Sequence, residues 1–166
     1  MAKLGLYGLS GVNSPLPHQI AVKELLCYID KKLKDNYSQY DVVSESDVRS
    51  LNENEPYFNK NSDIVIWKKS KEHIEKITEP VIIIEITNKP FPANLYDTNN
   101  YDINKIESYF LTFPSLKESI LYNYREADTS KNTIRFIRAK NNVTPFRELG
   151  THKIQKFGII LPTYLL

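Results

Sequence analysis

The sequence predicts a single-domain sheet flanked by helices, of the α/β or α+β class. Three observations carry that expectation. An amphipathic periodicity follows Pro15-Leu16-Pro17. A near-continuous β-branched run, Val81-Ile82-Ile83-Ile84-Glu85-Ile86-Thr87, reads as a central strand covered on both faces. A second helical periodicity then lies between that run and two further strands. At 166 residues there is room for one domain, and a domain of this size buries a substantial core without disulfides or metals. With 41% hydrophobic and 25% charged residues, wholesale disorder and collagen-like sequence are excluded.

The opening stretch, residues 1–15, reads as a loop or an edge strand. It holds no long apolar segment or clear cleavage site, so it makes a poor secretory signal. From His18, the positions Val22, Leu25, Leu26, Ile29 and Leu33 recur at helical spacing, with charged residues between them, and Asn36 is the expected stop. Tyr40 to Val48 is a strand of mixed polarity, and Arg49 to Pro56 a turn or loop. Ser62 to Trp67 is a short, largely apolar strand. Lys68 to Glu79 fits either a surface helix or a loop. Pro80 opens the central strand, and Lys89-Pro90-Phe91-Pro92 ends it, because proline removes ladder donors. Between Asp97 and Phe113, residues Ile103, Ile106, Tyr109 and Phe110 mark the second helix, stopped by Pro114. Strands follow at Ser119 to Tyr124 and Thr133 to Ile137, and Phe157 to Pro162 is an apolar closing segment. No internal repeat or low-complexity linker divides the chain.

The single cysteine, Cys27, cannot form an internal disulfide, and the longest aliphatic run stops at Glu85, far short of a membrane span. The expectation is a cytoplasmic protein with no membrane association. The formal net charge of +2 is unevenly spread. From Thr129 onward, Lys131, Arg135, Arg138, Lys140, Arg147, Lys153 and Lys156 stand against Glu148 alone, which leaves the preceding part net acidic. A basic end beside an acidic body could present nucleic acid to a cation site, and a solvated surface explains the same pattern equally well. Arg135 and Arg138 would not share a face of a regular strand.

Two acids stand where acids are expensive. Asp63 opens the strand Asp63-Ile64-Val65-Ile66-Trp67, and Glu85 interrupts the most hydrophobic run of the chain. A buried carboxylate needs a partner or becomes neutral. If the two strands are neighbours, both carboxylates can reach one hard divalent ion. Mg²⁺ prefers oxygen ligands and takes one or two protein carboxylates. Strand-end acids are also common without any function, and on spacing alone that plainer reading leads.

Asp63 ahead of an aliphatic strand, then Glu79-Pro80-Val81-Ile82-Ile83-Ile84-Glu85-Ile86-Thr87, resembles the PD-(D/E)XK nuclease core, in particular the bacterial Uma-two family. Asp102, Lys105 and Tyr109 in the following helix match the family's spaced Asp, Lys and Tyr. Ser14 to Ile20, with His18, resembles the segment before its first long helix, and Gly158 to Pro162 its closing segment. The resemblance runs over roughly His18 to Pro162. It implies an α/β, restriction-endonuclease-like mixed central sheet flanked by helices. It also implies a Mg²⁺- or Mn²⁺-dependent endonuclease acting on DNA, often as a homodimer. On that pattern Asp63, Glu85 and the Ile86 carbonyl hold the metal, and Lys105 supplies the positive charge, with Lys89 the competing lysine. The sequence departs from the family at three points. Ser62 replaces a proline, Thr87 replaces the lysine of the parent motif, and no acid precedes the histidine helix, unless Glu24 serves instead. A catalytically inactive relative that binds nucleic acid or a protein partner is the alternative these departures favour. An ordinary interaction domain would follow if Asp63 and Glu85 faced opposite sides of the sheet.

His18 reads as a cleft residue or as a helix-start histidine bonded to backbone, and Tyr109 as a site residue or as core. His73 and His152 lack partners at zinc-ligand spacing, and Gly5, Gly8 and Gly11 match no phosphate loop. There is no GxSxG, and Cys27 is expected on the apolar side of its helix. The eleven tyrosines are scattered, as packing residues would be.

Overall fold

The computed structural model describes residues 15–49, 59–70, 76–140 and 144–165. Most of the N-terminal stretch and His73 lie outside the described residues. The element order is α1 (Leu16–Asn36), β1 (Tyr40–Arg49), β2 (Asn59–Lys68), β3 (Pro80–Thr87), α2 (Tyr101–Thr112), β4 (Glu118–Asn123), β5 (Thr133–Ile137), β6 (Phe146–Leu149), β7 (Lys153–Ile154) and β8 (Ile159–Ile160). Strands β1 to β6 form one sheet in sequential order. Its only parallel pair is β3 with β4, and the other neighbours are antiparallel. The chain is therefore an α/β fold with a mixed sheet, and α2 is the crossover that a parallel β3–β4 pair requires. Strands β7 and β8 pair as a separate small ribbon.

Each helix covers one face. Val22, Leu25, Ile29 and Leu33 of α1 pack on Val42, Ile64, Ile66, Ile82, Ile84 and Ile120, and the closing residues Phe157, Ile159, Leu161 and Leu165 complete that layer. Ile103, Ile106, Tyr109 and Phe110 of α2 pack on Val65, Ile83, Leu121, Ile134 and Phe136. Burying an aliphatic side chain of this kind contributes about 1.5–3 kcal/mol, so the central strand is held from both sides. The residues of β3 are buried except the half-buried Val81.

Several expectations are corrected. Helix α2 starts at Tyr101 and not at Asp97, because Asn100 caps it by accepting the Ile103 amide (2.9 Å) and Asp97 closes a turn on Asn99 instead. Cys27 is exposed and not on the apolar side, since it lies two residues from both Leu25 and Ile29 and so faces away from them. The basic C-terminal end is partly consumed inside the protein. Arg135 is buried against Glu118. Arg138 donates to the carbonyls of Phe110 in the last turn of α2 and of Phe113 and Leu116 beyond it. Arg147 bonds Glu107 and the Leu95 carbonyl. Strand β6 is an edge strand with Phe146 and Leu149 exposed, so it shows no apolar alternation by which to be recognised. No described helix is long and apolar enough to cross a membrane.

Candidate active site

Past a register shift at Ile66/Trp67, the antiparallel ladder between β2 and β3 runs from Ile66 and Ile82 to Ile64 and Ile84. One residue further along, the pairing passes from backbone to side chains. The Asp63 amide donates to Glu85 Oε2 (2.9 Å), and the Ile86 amide donates to Asp63 Oδ2 (2.8 Å). Each carboxylate thus caps a backbone group of the other strand at the point where the ladder stops. Both acids lie towards the carboxyl end of β3, the side of a parallel pair where open α/β sheets bind ligands.

Both helices bring basic side chains to this point. From α2, Lys105 Nζ reaches Glu85 Oε1 (2.5 Å), and the Tyr109 hydroxyl donates to the same oxygen (3.0 Å). From α1, His18 Nε2 donates to the Ile86 carbonyl (3.1 Å) and lies 3.4 Å from Asp63 Oδ2. Lys105 and Tyr109 share the inner face of α2 because they are four residues apart. Behind them, the Thr87 hydroxyl donates to Asp102 (3.0 Å), joining the end of β3 to the first turn of α2.

Electrostatics follow from burial and crowding. Glu85 is 3% exposed, and burial together with the Asp63 carboxylate pushes its pKa up to about 7, against the opposing pull of Lys105. The hydrogen bond that His18 donates to Asp63 raises its pKa more than burial lowers it. Burial lowers Lys105, but the charge and hydrogen bond of Glu85 outweigh it and leave the lysine raised. Burial and the nearby Glu85 hold the Tyr109 hydroxyl well above its ordinary range.

Of the residues singled out from sequence, the geometry thus joins Asp63, Glu85, Ile86, Lys105, Tyr109 and His18, with Thr87 and Asp102 adjoining. Asp63 meets His18 of α1 and Glu85 meets Lys105 and Tyr109 of α2, yet the two acids adjoin, each accepting from a backbone amide of the other's strand. Lys89 is exposed, and its backbone amide, not its ammonium, contacts Thr87. Glu24 is exposed on α1, six residues past His18, which carries it about 240° round the helix by the 100° step per residue. It does not replace the missing acid. Tyr109 is fully buried, so core and site turn out to be the same position. His152 bonds Asn132. Sequence reasoning missed Glu45, whose carboxylate contributes to the upward shift of His18. It lies in a mixed-polarity strand with nothing local to mark it.

Two carboxylates and one carbonyl oxygen are hard donors of the kind that Mg²⁺ or Mn²⁺ takes, with water completing the shell. His18 Nε2 already contacts two of those three groups as a donor. Among the described residues no group of three or more His, Cys, Asp or Glu could hold a metal, so the protein's share would be this two-acid set.

No protein-family model matches this chain, and no curated protein matches it in sequence. Its fold is similar to a crystal structure from Anabaena variabilis described as "a putative nuclease belonging to DUF820". The TM-score is 0.58 at 12% identity, over 92% of this chain and 84% of that one. At that identity the likeness is one of fold.

Proposed function

We propose that this chain is a Mg²⁺- or Mn²⁺-dependent endonuclease of the PD-(D/E)XK type, akin to the Uma-two family, that hydrolyses phosphodiester bonds in DNA. The observation that carries this reading is the reciprocal Asp63–Glu85 pair with Lys105 on Glu85, set where the β2–β3 ladder opens. The fold likeness to a nuclease-described protein supports it.

Asp63, Glu85 and the Ile86 carbonyl would hold the ion. When bound, it supplies a polarised phosphate and a water of lowered pKa. Lys105 stabilises charge developing on the phosphate oxygens, a role that Thr87, in the motif's lysine position, cannot fill. Tyr109 fixes the orientation of Glu85 through Oε1. The Thr87–Asp102 bond seats the turn of α2 that leads to Lys105. A DNA partner, a homodimer suited to cutting both strands and a cytoplasmic location accompany this reading.

Thr87 also favours a second reading, a catalytically inactive relative that binds nucleic acid or a protein. Supercoiled plasmid separates the two. Nicking that requires Mg²⁺ or Mn²⁺ and drops by about 10²–10³ in Lys105→Met, the usual effect of losing one charge-stabilising donor, supports the nuclease. Cation binding without nicking by the wild type supports the inactive relative.

A further inference from the structure

Glu45 is the only described non-glycine residue with positive φ, at 49°, and it sits within a strand. Side chains longer than glycine's avoid this left-handed region, and Asn and Asp, not Glu, are the usual exceptions. The pairing of β1 with β2 passes from Ser44↔Ile64 to Ser46↔Ser62 and skips only Glu45, so the residue opposite it is Asp63.

The faces of the ribbon reverse across this point. On one side, Val42, Ile64 and Ile66 pack beneath α1, while Val43 and Val65 pack towards α2. Regular alternation would keep every even-numbered residue on the α1 face. Beyond Glu45 it does not. Val48 lies in the α2 layer, and buried Ser62 donates to the Tyr109 hydroxyl of α2 (3.3 Å). The ribbon therefore turns over between Ile64 and Ser62. Asp63, at the turning point, leaves the β2–β3 ladder and meets His18 of α1 and the Ile86 amide.

We infer that Glu45 is a positioning residue whose left-handed backbone turns the β1–β2 ribbon over and thereby aims Asp63 at Ile86 and Glu85. The significance for catalysis rests on the proposed cation site, whereas the positioning does not. The backbone, not the carboxylate, performs this task, so glycine serves as well as glutamate. A β-branched residue, which resists positive φ, does not.

The test is amide hydrogen exchange at Asp63 and Ile86, referred to Ile83 in the same strand, in wild type and in Glu45→Gly, Glu45→Ala and Glu45→Val, with Mn²⁺ titrated into each. Expected in Glu45→Val is a selective loss of protection at Asp63 and Ile86 of about tenfold or more relative to Ile83, a smaller selective loss in Glu45→Ala, and wild-type protection in Glu45→Gly. Mn²⁺ affinity should fall in the same order, by about 10–100-fold at worst, as for supports of metal ligands. Equal losses in Glu45→Gly and Glu45→Val would overturn the inference, because the carboxylate would then be what matters. Unchanged Asp63 and Ile86 amides in Glu45→Val would also overturn it, as would a uniform loss at all three amides. If the amides respond as expected while wild type binds no Mn²⁺, the positioning role stands and the nuclease reading fails.

Discussion

Two buried glutamates lie at opposite ends of the parallel strand pair, and they differ in the carboxylate that stands nearest to each. Glu118, at the amino end of β4, is 4% exposed and accepts from Arg135 (3.2 Å) and from the amides of Gln155 (2.8 Å) and Lys156 (3.0 Å). Glu85, towards the carboxyl end of β3, is 3% exposed and accepts from Lys105, Tyr109 and the Asp63 amide. Both are fully hydrogen-bonded, and both touch a cation. Burial and the half-buried Asp63 carboxylate beside it push the pKa of Glu85 up to about 7, whereas the second carboxylate near Glu118 is the exposed Glu148, which shares Arg135. One cation for one buried carboxylate makes a staple, here between the sheet and the closing segment. One lysine and a half-buried histidine for two crowded carboxylates leave a place where added positive charge is favourable.

The largest effect is expected at the Glu118 staple. Glu118→Ala leaves Arg135 as a buried charge that retains only the longer contact to Glu148 (3.4 Å). The expected loss is about 3–5 kcal/mol of stability in urea denaturation, with Mn²⁺ affinity unchanged while the protein is folded. Next in size is the contrast between the lysines. Lys105→Met lowers plasmid nicking by about 10²–10³, whereas Lys89→Met, at an exposed side chain, changes it less than about twofold.

Acidity acts on the Glu85 end directly. A folded-state pKa raised from 4.5 to about 7 means that native Glu85 holds its proton more tightly than the unfolded chain does. The stability this contributes is complete below about pH 4.5 and is lost as pH rises through about 7. Without metal, urea stability of the wild type should fall over that window by an amount on the order of 3 kcal/mol, and Glu85→Gln should flatten the profile. Cation binding displaces that proton, so Mn²⁺ affinity should rise across the same window. The smallest expected effect is at Glu24. Glu24→Gln should leave Mn²⁺ affinity within about twofold, as befits an exposed helix residue.

Much of this molecule was legible because its core strands are strongly patterned. Val81 to Thr87 marks β3 residue by residue, and helical spacing put Lys105 and Tyr109 on one face, where both reach Glu85. The pairing of Asp63 with Glu85 followed from the assumption that their strands are neighbours, which they are. The illegible parts share a physical cause: their partners are remote in sequence. Arg138 is consumed by carbonyls at the end of α2, and Arg135 by Glu118, so basic residues that looked available for nucleic acid are internal. Glu45 escaped notice because a left-handed residue inside a strand leaves no composition signal when it is not glycine. Strands β6 to β8 are short and carry exposed apolar residues, which hides their period.

The central claim is that the Asp63–Glu85 pair holds a divalent cation and the Glu118 staple does not. Isothermal titration of Mg²⁺ and Mn²⁺ into wild type, Glu85→Ala and Glu118→Gln, each first verified as folded by circular dichroism, tests it most directly. Binding is expected in wild type and Glu118→Gln and none in Glu85→Ala. Absence of binding in the folded wild type, or equal affinity in Glu85→Ala, would contradict it.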